Sequence, residues 1–239
     1  MQNHPLKKYL LATFLLASVG FAGSSHAVDG VFEISQACVG FGCVPGDSAG
    51  LPVTITESGS YRLTSNLSTT SANTTLILVN ADDVSIDLNG FSLTGPAVCS
   101  GSTVSCTNTG SGDGIDASND DNIIIRNGTI RGMGDAGIRV SDNAIVEDVV
   151  ISSNAGPGLS GGSFTSGGVF RRLSVSTNGG PGVGAAFGSH YLMDSVVINN
   201  GDFGVFAIFC GNVLMVGNDN GNSCVAIAPN ECSTAADCD

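Results

Sequence analysis

The chain has 239 residues and is acidic, with 21 Asp and Glu against 8 Lys and Arg and a formal net charge of −13. A surface of that sign repels nucleic acid and anionic lipid, so neither is expected as a partner. The sequence has no tryptophan and 3 tyrosines, which argues against a long saccharide cleft, because such clefts stack sugar faces on aromatic rings.

Residues 1–27 read as a secretory signal peptide. Lys7 and Lys8 supply the positive charge, Tyr9 to Phe21 are mostly apolar, and Ser25-His26-Ala27 end the run in small-residue style. The run is too short for a membrane span, and no later segment is apolar enough to make one. The expected location is therefore secreted, extracellular or periplasmic. Without the leader the chain keeps six arginines, no lysine and all 21 acids, a net charge of −15. Such a charge attracts divalent cations, and it also serves plain solubility.

All eight cysteines lie beyond the leader, and an even number in an exported chain reads as disulfides. Their grouping favours local pairs: Cys38–Cys43, Cys99–Cys106, Cys210–Cys224 and Cys232–Cys238. A zinc site is disfavoured, since the spacings are not those of paired knuckles and His190 is the one histidine left after the leader.

Residues 28–52 are glycine-rich and non-repetitive, and form the expected N-terminal cap of a solenoid. From Val53 the pattern turns strand-like: Val53 to Ile55, Gly59 to Leu63, Thr75 to Val79 and Val84 to Leu93. Val84, Ile86 and Leu88 alternate with Ser85 and Asp87, and Asn89-Gly90 makes a turn. Ser60-Tyr61-Arg62-Leu63 followed by Asp82-Asp83-Val84-Ser85-Ile86-Asp87-Leu88-Asn89-Gly90-Phe91 resembles the opening coils of secreted bacterial right-handed parallel β-helix repeat proteins of pectate-lyase-like architecture. The resemblance runs over most of Val53 to Val216. It implies that fold, but no single activity, because the family holds lyases, hydrolases, epimerases and adhesive proteins.

Residues 96–112 interrupt the coils with a Ser-, Thr- and Gly-rich loop carrying Cys99 and Cys106. A loop of this kind either lines a binding surface or covers an edge. After it the repeat is clear. A glycine followed by an apolar residue recurs at Gly114, Gly137, Gly158, Gly182 and Gly204, at intervals of 23, 21, 24 and 22 residues. Strands ending at Ile130, Ile151, Val175 and Ile198 keep nearly the same period. A β-rich period of about 22 residues without a helical stripe predicts a parallel β-helix over 53–216, all-β, with disulfide-held ends, and the resemblance implies that it is single-stranded and right-handed.

Aligning the coils gives two inward columns: Ile125, Val146, Phe170, Met193 and Ile130, Ile151, Val175, Ile198. Stacked strands lie about 4.8 Å apart, so like positions touch. The outward column is Arg126, Glu147, Arg171, Asp194, with Asp148 beside Arg172 in the next, and its alternating signs give those residues a structural role. Asn154, Asn178 and Asn200 each stand four residues before a coil glycine and are read as a turn ladder. Residues 217–239 form a Cys-rich tail.

Chemistry has few places to sit. Asp113 to Asn122 is the richest polar cluster, and Asp116, Asp120 and Asp121 are the candidate ligands if calcium is the cofactor, although the spacing fits neither the EF-hand loop nor the glycine-rich nonapeptide repeat and a plain acidic turn is the favoured reading. In a lyase of the resembling architecture, Arg131 and Arg139 are the candidate bases outside the charge ladder. Arg139 is expected to stack on Asp116. The leading expectation is a non-catalytic module with a structural or polysaccharide- or surface-recognition role. The alternative is a small calcium-dependent lyase or epimerase acting on uronate polymers.

Overall fold

The structure is a computed structural model, and it describes residues 30–163, 167–187 and 190–226. The leader, the cleavage site and the pair Cys232–Cys238 lie outside the described residues. Among these there is no α-helix. The strands stack in parallel into three sheets that share one core. In the first sheet, Val53, Ile77, Ile115, Ile138, Leu159, Val183 and Val205 are successive register partners. In the second, Phe32, Tyr61, Ile86, Ile125, Val146, Phe170, Leu192 and Cys210 are. In the third, Leu67, Leu93, Ile130, Ile151, Val175, Val197 and Met215 are. The chain visits the sheets in that order once per coil, which is the architecture of a parallel β-helix. The segment ahead of Val53 supplies one further rung of the second sheet, Val31–Ile34 on Gly59–Leu63.

Period-2 alternation explains the core. The first-sheet partners are all fully buried, and so are Ile125, Val146, Phe170 and Leu192. Each such side chain contributes on the order of 1.5–3 kcal/mol by leaving water. The last regular coil differs from the sequence expectation by one residue. Leu192 and Val197 point inward where Met193 and Ile198 were expected, and Met193 pairs with Arg171 where Asp194 was expected. The reason is Ser195. It takes an inward position that Val149 and Leu173 hold in earlier coils, and it is buried because its hydroxyl donates to Met193 O at 2.7 Å and accepts from Leu173 N at 3.0 Å. A polar residue at a core position shifted the apparent alternation by one.

From Asn127 onward each bend between the second and third sheets is made by one residue in the left-handed region: Asn127, Asp148, Arg172, Asp194 and Asn212, with φ from 48° to 59°. Asn and Asp tolerate that conformation. Arg172 does not share the preference, and its side chain is tied down by Asp148 at 2.7 Å and Glu147 at 2.9 Å.

The bend from the third sheet back to the first holds the asparagine ladder. Asn154 Nδ2 donates to Asn178 Oδ1, Asn178 Nδ2 to Asn200 Oδ1, and Asn200 Nδ2 to Asn218 Oδ1, each at 3.0 Å. The same oxygens accept the backbone N–H of the preceding asparagine at 3.0–3.1 Å. The coil glycines exist to make room for this ladder. A Cβ on Gly137, Gly158 or Gly182 would lie 2.7–2.8 Å from the amide nitrogen of Asn154, Asn178 or Asn200, and 2.6 Å from the next coil glycine's carbonyl oxygen. Glycine and asparagine are thus one packing unit repeated per coil.

Residues 96–112 fold into an antiparallel hairpin, Val98–Ser100 on Ser105–Thr107, closed by the Cys99–Cys106 disulfide. The hairpin lies along the ladder edge and crosses several coils. Cys99 Sγ is 3.4 Å from Asn154 O, and Val104 N donates to Asp219 Oδ2 at 3.2 Å. A Cβ on Gly179 would meet Cys106 Sγ at 2.7 Å, so the coils are shaved to receive it. The disulfides Cys38–Cys43 and Cys210–Cys224 sit near the two ends.

Replacing Asn178 by Leu removes the shared acceptor of the Asn154 backbone N–H and the Asn154 Nδ2 and leaves both unpaired in the core. At about 1–3 kcal/mol for each buried unsatisfied group, Asn178→Leu is expected to cost about 3–5 kcal/mol in urea unfolding; a loss under 1 kcal/mol would mean that the ladder is not a stabilising feature. The Cys99→Ser/Cys106→Ser double variant is expected to lose about 2 kcal/mol, from the entropy of a short closed loop. Its amide exchange should speed up at Val104 and Gly179, while the strands of the second sheet stay protected.

Candidate functional site

The charged side chains of the second sheet form a ladder longer than the sequence alignment indicated. Its outward register column runs Glu33, Arg62, Asp87, Arg126, Glu147, Arg171 and then Met193. The signs alternate through six rungs. Ion pairs join Glu33 to Arg62 at 3.0 Å, Asp87 to Arg126 at 3.3 Å and Glu147 to Arg171 at 2.6 Å. Hydrogen bonds from Arg171 and Arg172 hold the Glu147 carboxyl below its usual range, and that from Arg172 does the same for Asp148. Asp194 lies off this column and accepts from Asn212 Nδ2 at 2.7 Å. The first three rungs escaped sequence alignment because the hairpin insert breaks the period between them and Arg126. The signal was present in Glu33, Arg62 and Asp87, each two or one residues from a buried strand residue.

Arg139 lies on the first sheet, and its register partner is Asp116 as the glycine alignment indicated. The side chain turns elsewhere. Nε donates to Asp113 Oδ2 at 2.9 Å and Nη2 to Asp135 Oδ2 at 2.6 Å. Asp113 Oδ1 accepts from Ala136 N at 2.8 Å. The Asp113 side chain is 7 % exposed, and burial pushes its pKa up to about 6 even though Arg139 beside it pulls the other way. Burial by itself lowers the Arg139 pKa, but Asp113 and Asp135 outweigh it and hold the guanidinium firmly charged. A carboxyl with a raised pKa beside an arginine has the composition of an acid–base pair. The geometry is that of a bracket between two coils, with both Asp113 oxygens and the Nε and Nη2 of Arg139 already engaged.

The expected calcium ligands are each engaged differently. Asp116 Oδ1 accepts from Ser118 N and Oγ at 3.1 and 2.7 Å. Asp121 Oδ1 accepts from Ser141 Oγ at 3.0 Å, and Asp121 N donates to Asp82 Oδ1 at 2.8 Å. Asp120 has one buried oxygen without a partner, and burial followed by the charges of Asp82, Asp121 and Asp116 raises its pKa. Among the described residues no group of three or more His, Cys, Asp or Glu side chains is arranged to hold a metal ion. His190 is fully buried, stacks on Phe170 at 5.6 Å, and its Nδ1 accepts from Gly168 N at 2.9 Å.

Arg131 stands apart from the other arginines. It is exposed, it has no ion pair among the described residues, and its register partners on the third sheet are Thr94 and Ser152. It borders a hollow of about 270 Å³ shared with Thr94, Ala97, Val98, Gly132 and Ser153. On the second sheet, where the charge ladder gives way to Met193, Tyr191 and Phe209 stack with centroids 5.5 Å apart, and Tyr191 is 38 % exposed. The one-residue slip in the alignment hid this pair, since each ring precedes an inward residue, Leu192 or Cys210.

Comparison with known proteins bears on the fold. No curated protein matches the sequence. Among solved structures the chain is similar to the Siphovirus 9NA tailspike receptor binding domain, at 9 % identity and a TM-score of 0.24, over 73 % of this chain and 48 % of that one. The chain thus spans about half the length of that neighbour. The model of the right handed beta helix region matches residues 53–228. That span takes in the stacked coils from the Val53 rung onward, and the chain belongs to the right-handed β-helix family.

Proposed function

We propose that this protein is a non-catalytic extracellular recognition module that presents the long sides of its coils to polysaccharide or to a cell surface. The observation that carries this reading is the pairing of its cations. Arg62, Arg126, Arg139, Arg171 and Arg172 are all held in ion pairs by neighbouring coils. A lyase needs a base beside its substrate and carboxylates free to hold a cation. Here the convergent set, Asp113 with Arg139, is bonded internally. Three disulfides support an oxidising location. The exposed Tyr191–Phe209 stack offers a flat apolar step of the kind a sugar ring can cover.

The test separates binding from turnover. The protein is immobilised and exposed to a set of neutral and acidic polysaccharides, and in parallel incubated with uronate polymers, with and without calcium, while unsaturated product is followed by ultraviolet absorbance. Retention of a polymer without product is the expected result. Calcium-dependent product lost on Asp116→Ala would overturn the reading. Arg139→Ala discriminates further. It orphans the buried Asp113 carboxyl and is expected to lower unfolding stability by about 2–4 kcal/mol, while polymer retention at a temperature where the variant stays folded remains unchanged.

A further inference from the structure

We propose that the outer face of the third sheet is a binding site for the oxyanion groups of an acidic polysaccharide, with Arg131 as its anchoring charge and the hollow beside it as the seat of the anion. The proposal rests on the recognition reading above and names the ligand class and the subsite.

Three observations converge on that face. The first is its charge. The two outward register columns of the third sheet, from Ser68 and Ser92 to Leu214 and Val216, hold serine, threonine and aliphatic residues, with Arg131 as their sole charged member. In a chain with 21 acids, a face without a carboxylate is where an anionic polymer meets least repulsion. The second is the isolation of Arg131. Each other described arginine is neutralised by an acid, whereas Arg131 lies between Thr94 and Ser152. Its five N–H donors are therefore available.

The third is the shape and donor set beside it. Gly132 adopts φ +68°, and a Cβ there would meet Gly95 O at 2.7 Å, so the floor of the hollow carries no side chain. The hydroxyls of Thr94 and Ser153 line it, and neither makes a hydrogen bond among the described residues. Ala97 and Val98, where the hairpin insert leaves the coil, form the wall. A guanidinium with two free hydroxyls beside it and no acid side chain in the lining supplies hydrogen-bond donors that match a carboxylate or a sulfate ester. Arg131 here binds an anion and has no catalytic part.

The test uses the whole exported chain and three probes: polygalacturonate for carboxylates, dextran sulfate for sulfate esters, and neutral dextran. Dissociation constants are measured by calorimetry at low and at high salt. At least one anionic polymer is expected to bind, more weakly as salt rises. Arg131→Ala is expected to weaken that binding about tenfold, as for loss of a charge-assisted contact, and Arg131→Lys to restore part of it. Arg62→Ala removes the same unit charge from an exposed pair on the second sheet, so it serves as the control, and it is expected to change affinity less than twofold. Thermal unfolding checks that each variant is folded. An equal loss in Arg62→Ala and Arg131→Ala, or no loss in Arg131→Ala, overturns the proposal. Binding of neutral dextran alone also overturns it, while leaving the recognition reading standing; retention of no polymer at all sinks both.

Discussion

Parallel stacking at about 4.8 Å is the constraint on which the rest of this molecule depends. Every residue sits directly on its counterpart one coil earlier, so a residue type must be compatible with itself or with a complement. Aliphatic residues satisfy the rule by packing, as in the column from Val53 to Val205. Asparagine satisfies it by donating with its amide nitrogen to the next carbonyl oxygen, from Asn154 to Asn218. Charges satisfy it by alternating, from Glu33 to Arg171. Glycine satisfies it where nothing else fits, because the next coil's carbonyl oxygen occupies the Cβ position of Gly137, Gly158 and Gly182.

The same rule explains what was legible in the sequence. Two markers with a shared period are enough to establish the fold, and the coil glycine gives the first-sheet register from Ile115 to Val205 while the strand-ending aliphatic residue gives the third-sheet register from Ile130 to Val175, because stacking converts sequence period into contact. The asparagine ladder was visible for the same reason. Legibility failed where a local bond replaced the repeated type. Ser195 satisfies its own hydroxyl within the bend and so occupies a core position, which moved Met193, Asp194 and Ile198 one place from their true faces. The partners of Arg139 were also hidden. Register put it on Asp116, but the side chain is long enough to reach the bend, where Asp113 and Asp135 lie. Backbone register is readable from a repeat, whereas the direction of a long polar side chain is not.

The hairpin insert shows how a departure from the period becomes part of the structure. It leaves the second coil beside Gly132, runs down the ladder edge past Asn154 and Gly179, and ends its reach at Asp219. One coil thereby touches several later ones, which nearest-neighbour stacking alone cannot do. A solenoid whose coils interact only pairwise can fray from either end, and a clasp across coils ties their opening together. The insert therefore covers the edge, and its first residues Ala97 and Val98 also wall the hollow beside Arg131.

Stacking also sorts the surface into faces with different tasks. On the second sheet each charge needs an opposite neighbour, so that face consumes its own cations and acids. Exposed pairs of this kind contribute only about 0.2–1 kcal/mol each, and their larger effect is on register, because a slip by one coil would place like charges together. The third sheet achieves its stacking with hydroxyls and aliphatic side chains, which need no counter-charge. A cation placed there has no intramolecular partner to find, and Arg131 is in that position. The uncompensated charge therefore follows from which face it stands on, and a face that keeps register without charges is the one on which a charge remains available to something outside the molecule.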